Sequence, residues 1–380
     1  MLHNRHSSLG YHTVNFFRRF DYDDIEAIFK DIKQFSKESG KIMLYPTDLR
    51  NSCYRIDYTD KYSSIDYWQI RSCYSSQDFK EHTVEAKVNP KILAGESDYI
   101  RAAGERHFPL LAAGFNEEAR KLSSLLYGFN EYRPNRIDYC VNFDLQELGY
   151  PCEPLQMMEL IKRSNIPAHY VERKEYHPTA KRMKALPNSF YLKSNSVRIN
   201  CYGKFDQLSN NYQDNPSLED SLSVVRFEVQ CRYIKLYNMM ARARLKGVPD
   251  EDLLRHLLSD EVARETVIGY FNRIIMRGDY YTLKEATERV KVRRFGVGKE
   301  ERMIDALNLI SQQRGIYKAK AIFPLASIAL ARFNRAMNEL VDEMNINPVT
   351  IPKSFGIKYL PGLMDAYLRL EFTGVRQMSS

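Results

Sequence analysis

The sequence predicts an α+β protein: an antiparallel-rich sheet built from two β-α-β-β-β-like units, followed by an α-helical C-terminal region. Three observations predict it. Short segments rich in β-branched and aromatic residues recur up to about residue 240, with polar residues alternating between them. Within that stretch the order strand, helix and three strands occurs twice. Beyond it strand signals vanish and apolar residues recur at helical spacing, so the chain divides into residues 1–240 and 241–380.

In the first unit YHTVNFF (11–17) is the opening strand. DYDDIEAIFKDIKQFSKESG then carries acids in its first turn, Ile25, Ile28, Phe29, Ile32 and Phe35 at helical spacing, and Gly40 as a stop. The three following strands are SCYRIDYT, IDYWQIRSCY and HTVEAKV, and Pro90 closes the last. ESDYIRAAGERHF and FNEEARKLSSLLYGF are helical and lead to the second unit. There NRIDYCVNF is a strand and EPLQMMELIKRSN a helix. A Lys- and Arg-rich loop (about 171–186) precedes the strands SFYLKS, SVRINCYGK and SVVRFEVQC. The C-terminal helices include TLKEATERVK, where Thr282 and Glu285 make a capping-box pattern. With the turn Phe295–Gly298 and the helix EERMIDALNLI, it has the layout of a helix-turn-helix. LMDAYLRL is a last short helix.

The composition is that of a water-soluble chain, with 44% hydrophobic and 27% charged residues among 380. Its net charge of +8 is concentrated: Cys231 to Lys320 holds 19 Lys/Arg against 12 Asp/Glu. Such a block points to a polyanion, most often nucleic acid, with a solvated helical face as the alternative. Six cysteines form no CxxC pair and no zinc spacing, as in a reduced cytosolic protein. The N-terminus MLHNRHSSLG lacks a signal-peptide core. The longest apolar run, residues 321–331, is too short for a bilayer and contains Pro324, so no membrane partner is expected.

Three carboxylates stand in strand settings, Glu85 in HTVEAKV, Asp138 in NRIDYCVNF and Glu228 in VRFEVQ, and Tyr202 ends the strand SVRINCY. Taken singly, each is more often structural than catalytic, and the chain holds 26 tyrosines. Their setting lifts them, because acids are poor strand formers. Alternation sets Arg226, Glu228 and Gln230 opposite Val225, Phe227 and Val229, and Arg136, Asp138 and Cys140 opposite Ile137, Tyr139 and Val141. Carboxylates gathered on one sheet face repel one another, a repulsion that a bound cation relieves, and oxygen-only ligation favours Mg²⁺ or Mn²⁺. None of the eight histidines forms a His-x-His pair, and no P-loop, EF-hand or HExxH pattern occurs, which argues against an autonomous ATPase or zinc hydrolase.

VEAKVNPKILAGESDY, RIDYCVNF, the segment around CYGKFDQL and LSVVRFEVQCRYIK, in this order over roughly residues 80 to 240, resemble the motif series of filamentous-phage replication initiators. These belong with plasmid proteins to the rolling-circle initiators that lack the His-x-His motif. The resemblance implies a site-specific, metal-dependent nickase that acts on double-stranded, supercoiled origin DNA through a tyrosine and later religates it. It implies Tyr202 as nucleophile, Lys204 as the lysine of a Y-x-K pattern, and Glu85, Asp138 and Glu228 as the acids around Mg²⁺ or Mn²⁺. Tyr191 remains a competing nucleophile, and Asp57, in a second RID triplet, a second candidate ligand.

On this reading residues 1–240 nick, and the helical part 241–380 together with Arg242 and Arg244 holds duplex DNA, with Lys291, Arg293 and Arg294 on the phosphates. The expected partners are origin DNA, a host helicase and a DNA polymerase in a bacterial cytoplasm, with homo-oligomerisation left open. A mobilisation relaxase of the same chemistry and a non-catalytic helix-turn-helix repressor using residues 281–311 are the alternatives.

Overall fold

A computed structural model describes residues 6–48, 53–74, 80–172, 175–177, 182–184, 188–211 and 214–378. Strands β1 (Ser8–Phe20), β2 (Ile42–Asp48), β3 (Cys53–Tyr58), β4 (Ile65–Tyr74), β5 (Lys80–Val88) and β6 (Arg133–Asp144) belong to the first half of the chain. They are joined by helices α1 (Tyr22–Ser39), α2 (Pro90–Leu93) and α3 (Phe108–Leu122). Next come α4 (Pro154–Lys162), β7 (Val171–Glu172), the small hairpin β8 (Glu175–His177) and β9 (Arg182–Lys184), β10 (Ser189–Lys193), β11 (Val197–Gly203), α5 (Lys204–Asn211) and β12 (Val224–Arg232). The remainder is helical, α6 (Tyr233–Leu245), α7 (Leu253–Leu257), α8 (Asp260–Ile274), α9 (Leu283–Val292), α10 (Val297–Gln313), α11 (Ile316–Lys320), α12 (Ile328–Met344) and α13 (Leu363–Met378). One short pair interrupts it, β13 (Tyr280–Tyr281) with β14 (Tyr359–Leu360).

The protein is therefore α+β with a helical C-terminal region, as predicted. Ten strands make one sheet in the order β2-β3-β4-β5-β1-β6-β12-β11-β10-β7. That order shows the predicted repeat. Set β6, α4, β7, β10, β11 and β12 on β1, α1, β2, β3, β4 and β5, and the two halves read alike from opposite ends. Glu85 on β5 and Glu228 on β12 then occupy equivalent strands. Three departures stand out. ESDYIRAAGERHF, predicted helical, is irregular up to Gly104 and forms only the single turn Glu105–His107 before α3. β2 and β7 extend each expected set of three strands to four. The stretch predicted as a charged loop holds β7 and the β8–β9 hairpin, and its residues 173–174, 178–181 and 185–186 lie outside the described residues.

Compactness divides the chain into one unit of residues 9–141 and 228–265 and another of residues 1–8, 142–227 and 266–380. In the first, antiparallel registers pair Phe16 with Ala86 and Val14 with Val88 on one face of the sheet. Trp68, opposite Ala86 on β4, joins that face, and all of these residues are fully buried. α1 contributes Ile25, Ile28 and Ile32, and α3 Leu111, Phe115 and Ala119, to the same core. Phe115 packs its ring 5.6 Å from Phe16 and 5.3 Å from Trp68. Each such side chain stabilises the fold by about 1.5–3 kcal/mol. A Cβ on Gly10 would lie 1.9 Å from the Ala103 carbonyl oxygen, so only glycine lets β1 meet that segment.

In the second unit, β10 and β11 pair Phe190 with Cys201 and Leu192 with Ile199, buried on the side that α4 covers. α4 begins with Pro154 at its first position and a Glu153–Gln156 capping box. Tyr281, Ala286, Val290, Met303, Leu307, Leu340 and Ile346 make a helical core. The Thr282 hydroxyl accepts the Glu285 N–H at 3.4 Å, half of the capping box the sequence predicts.

Candidate functional site

Alternation on β5 puts Val84, Ala86 and Val88 into the core, and so turns Glu85 and Lys87 to the other face. The register brings Phe17 of β1 and Gln69 of β4 beside Glu85, and Asn15 and Tyr67 beside Lys87. Buried Glu85 is held by neutral donors: Oε1 accepts from Asn15 Nδ2 at 2.7 Å and Tyr67 OH at 3.4 Å, Oε2 from Asn135 Nδ2 at 2.9 Å. Arg71 lies at 3.5 Å. Burial first, then the Glu85 charge, raises the Tyr67 hydroxyl above its ordinary range.

Asp138, 1% exposed on β6, accepts from Arg136 Nε at 2.8 Å and Nη2 at 2.5 Å. The two residues are i and i+2 on one strand, so they share a face and pair through both guanidinium positions. With its amide turned to face the guanidinium, Gln230 also accepts from Arg136, at 2.9 and 2.5 Å. Burial pushes the Asp138 carboxyl up to about 6; Arg136 opposes the rise and the charge of Glu228 adds to it. Arg136 feels burial as well, but the Asp138 charge outweighs it and the guanidinium stays firmly protonated. The charges of Glu228 and Lys87 reach Asp138, and those of Glu85 and Arg136 reach Tyr67, and all three predicted acids are buried.

Among the described residues no group of three or more His, Cys, Asp or Glu lies close enough to hold a metal ion. The charge of Glu228 reaches Asp138, whose two oxygens already accept from Arg136, while Glu85 is engaged by the amides of Asn15 and Asn135. A carboxylate pair suits Mg²⁺, which is commonly held by one or two carboxylates and completed by water and substrate phosphate. Asp57 accepts from Arg55 Nε at 2.7 Å and from the Tyr45 hydroxyl, and Arg55 lies over the Tyr67 ring at 4.3 Å.

In the other unit β11 alternates buried and half-buried residues, and Tyr202 falls in the half-buried row with Arg198 and Asn200. The register pairs Ser189 with Tyr202 and Tyr191 with Asn200, so both candidate tyrosines face the same side. A Cβ on Gly203 would meet only Asp206 Oδ2, at 3.3 Å, and Asp206 accepts from Asn188 Nδ2 at 2.7 Å. Lys204 opens α5 and is only 1% exposed; its ammonium donates to Gln207 Oε1 at 2.6 Å.

Of the predicted DNA contacts, Arg242 and Arg244 lie on α6, where Arg244 is exposed and pairs with Asp250 at 2.6 Å. Lys291, Arg293 and Arg294 are exposed where α9 ends, before α10. Arg294 has φ 53°, the left-handed value that closes the turn between them. Asn15, Tyr67 and Asn135 escape sequence reasoning; each lies on a strand, yet nothing short of the register shows that they converge on Glu85.

No helix among the described residues is long and apolar enough to cross a membrane. No known protein family and no curated protein matches the sequence. A solved structure, that of the rolling circle replication initiator protein from Geobacillus stearothermophilus, is similar with a TM-score of 0.34 and 9% identity, covering 71% of this chain and 87% of that one. At that distance the similarity assigns no residue here a role.

Proposed function

We propose that this chain is a rolling-circle replication initiator, a site-specific strand nickase and ligase working on origin DNA. The observation that supports the reading is the buried pair Asp138 and Glu228, from strands far apart in sequence, in which the charge of Glu228 reaches Asp138. Burying these carboxylates costs free energy that their partners offset, Arg136 at Asp138 and Asn15, Tyr67 and Asn135 at Glu85. Residues 1–240 carry the chemistry and the helical part 241–380 adds to the grip on DNA.

Tyr202 is the nucleophile in this reading. Its phenol, ordinarily titrating near about 10, loses its proton and the oxygen attacks the scissile phosphorus. The bond to the 3′ oxygen breaks, leaving a 5′-phosphotyrosine and a 3′-OH that primes a polymerase. The tyrosyl ester conserves the bond energy, so a later 3′-OH reverses the step without ATP. The buried ammonium of Lys204 favours the phenolate. Asp138 and Glu228 would hold Mg²⁺ or Mn²⁺, which supplies charge stabilisation to the phosphoryl oxygens. A host helicase and polymerase would extend the product.

The exposed Lys291, Arg293 and Arg294 beside the α9–α10 pair favour a second reading, a helix-turn-helix repressor without catalysis. A nicking assay on supercoiled DNA carrying the cognate origin separates the two. The initiator converts it to open circles with Mg²⁺ or Mn²⁺; a repressor binds the same DNA and leaves it supercoiled.

A further inference from the structure

β12 runs straight from Glu228 into α6, and the first two turns of that helix carry aromatics on the outside. Tyr233 is 51% exposed and Tyr237 is 54% exposed, at i and i+4, with rings stacked at 6.4 Å and 30° between planes. Phe17 meets Tyr233 edge-on at 6.3 Å, and Phe17 is the β1 residue paired with Glu85. An aromatic row thus leads from the strand beside Glu85 out to the surface of α6. α6 itself is basic: from Cys231 to Val248 there are Arg232, Lys235, Arg242, Arg244 and Lys246 and no acid, though Arg244 is paired with Asp250. Ring pairs at i and i+4 stabilise a helix by only tenths of a kcal/mol. That gain does not require half of two large rings to face water.

We infer that Tyr233 and Tyr237 form a stacking platform for unpaired bases of a DNA strand passing the buried acids, with Arg232 and Arg242 on its phosphates. Every base has a π-face, so rings between cationic side chains hold a single strand with little regard to sequence. A duplex hides those faces and is held through its phosphates instead. The inference rests on the nickase reading and extends it: the site takes a melted strand.

The test measures binding rather than nicking, on a Tyr202→Phe background, so that loss of the nucleophile and loss of the platform stay separate. An oligonucleotide of about 16 residues, the upper end of a single-strand site, carries 2-aminopurine and is titrated beside its duplex. Y233A/Y237A should weaken single-strand binding by about tenfold or more and abolish the 2-aminopurine quenching, with duplex binding within about twofold. Y233F/Y237F keeps the rings and should bind like the parent. Y233L/Y237L keeps apolar contact with Phe17 without a stacking face; it should fail like the alanine pair and covers the case in which alanine disturbs the helix. Single-strand affinity unchanged in the leucine pair overturns the platform. So does an equal loss for strand and duplex, which marks α6 as a general docking face, or a phenylalanine pair as weak as the leucine pair.

Discussion

Asp138 and Arg136 set the electrostatics of the buried acids. Because burial raises the Asp138 pKa, its protonated form is the one the fold prefers. Its contribution to stability is therefore full below the unfolded value of about 3.9 and is lost as the pH rises through about 6. Asp138→Asn should flatten the dependence of Tm on pH across that window, by an amount worth up to about 3 kcal/mol. A parallel pH profile in the variant would show that Asp138 is not the group responsible. Arg136→Ala removes the guanidinium that pairs with this buried carboxylate and should cost about 3–5 kcal/mol. The double variant Arg136→Ala/Asp138→Asn should lose less than the two single losses added, as denaturant titrations can measure. Alternation reveals which residues share a face, and so Arg136 beside Asp138 is legible in RIDY. The hold of Asn15, Tyr67 and Asn135 on Glu85 is not, because it depends on cross-strand register.

Elements with strong periodicity follow the sequence closely, α1 by its Ile25, Ile28 and Ile32 stripe and β12 by its Val and Phe alternation. β2 is hidden because Pro46 and a mostly exposed set of side chains mask an edge strand whose only buried residue is Ile42. β7, at the other edge, is two residues long and carries no pattern at all. α9, the turn and α10 are legible from Thr282 and the glycines around the turn, yet whether they touch DNA is a question of charge. Arg293→Glu/Arg294→Glu should weaken duplex binding steeply and reduce the slope of log K against log salt by about 0.9 for each phosphate no longer neutralised. An unchanged slope assigns these arginines to a solvated face.

For the molecule as a whole, the repeat visible in the sequence reappears as a sheet order that reads alike from both ends, and it places Glu85 and Glu228 on equivalent strands. The order of strands itself is not legible, since no local pattern says that β1 stands next to β6. Local pattern favours Tyr202, followed by Gly203 and Lys204 at the end of its strand, over Tyr191, and the register turns both to the same side. The account makes one of them the covalent centre of the protein. Nicking a labelled origin with Mg²⁺ or Mn²⁺, digesting the protein and mapping the labelled peptide tests this most directly. The account predicts label on the Tyr202 peptide, none after Tyr202→Phe, and near-normal labelling after Tyr191→Phe. Label on the Tyr191 peptide, or an undiminished adduct from Tyr202→Phe, would contradict it.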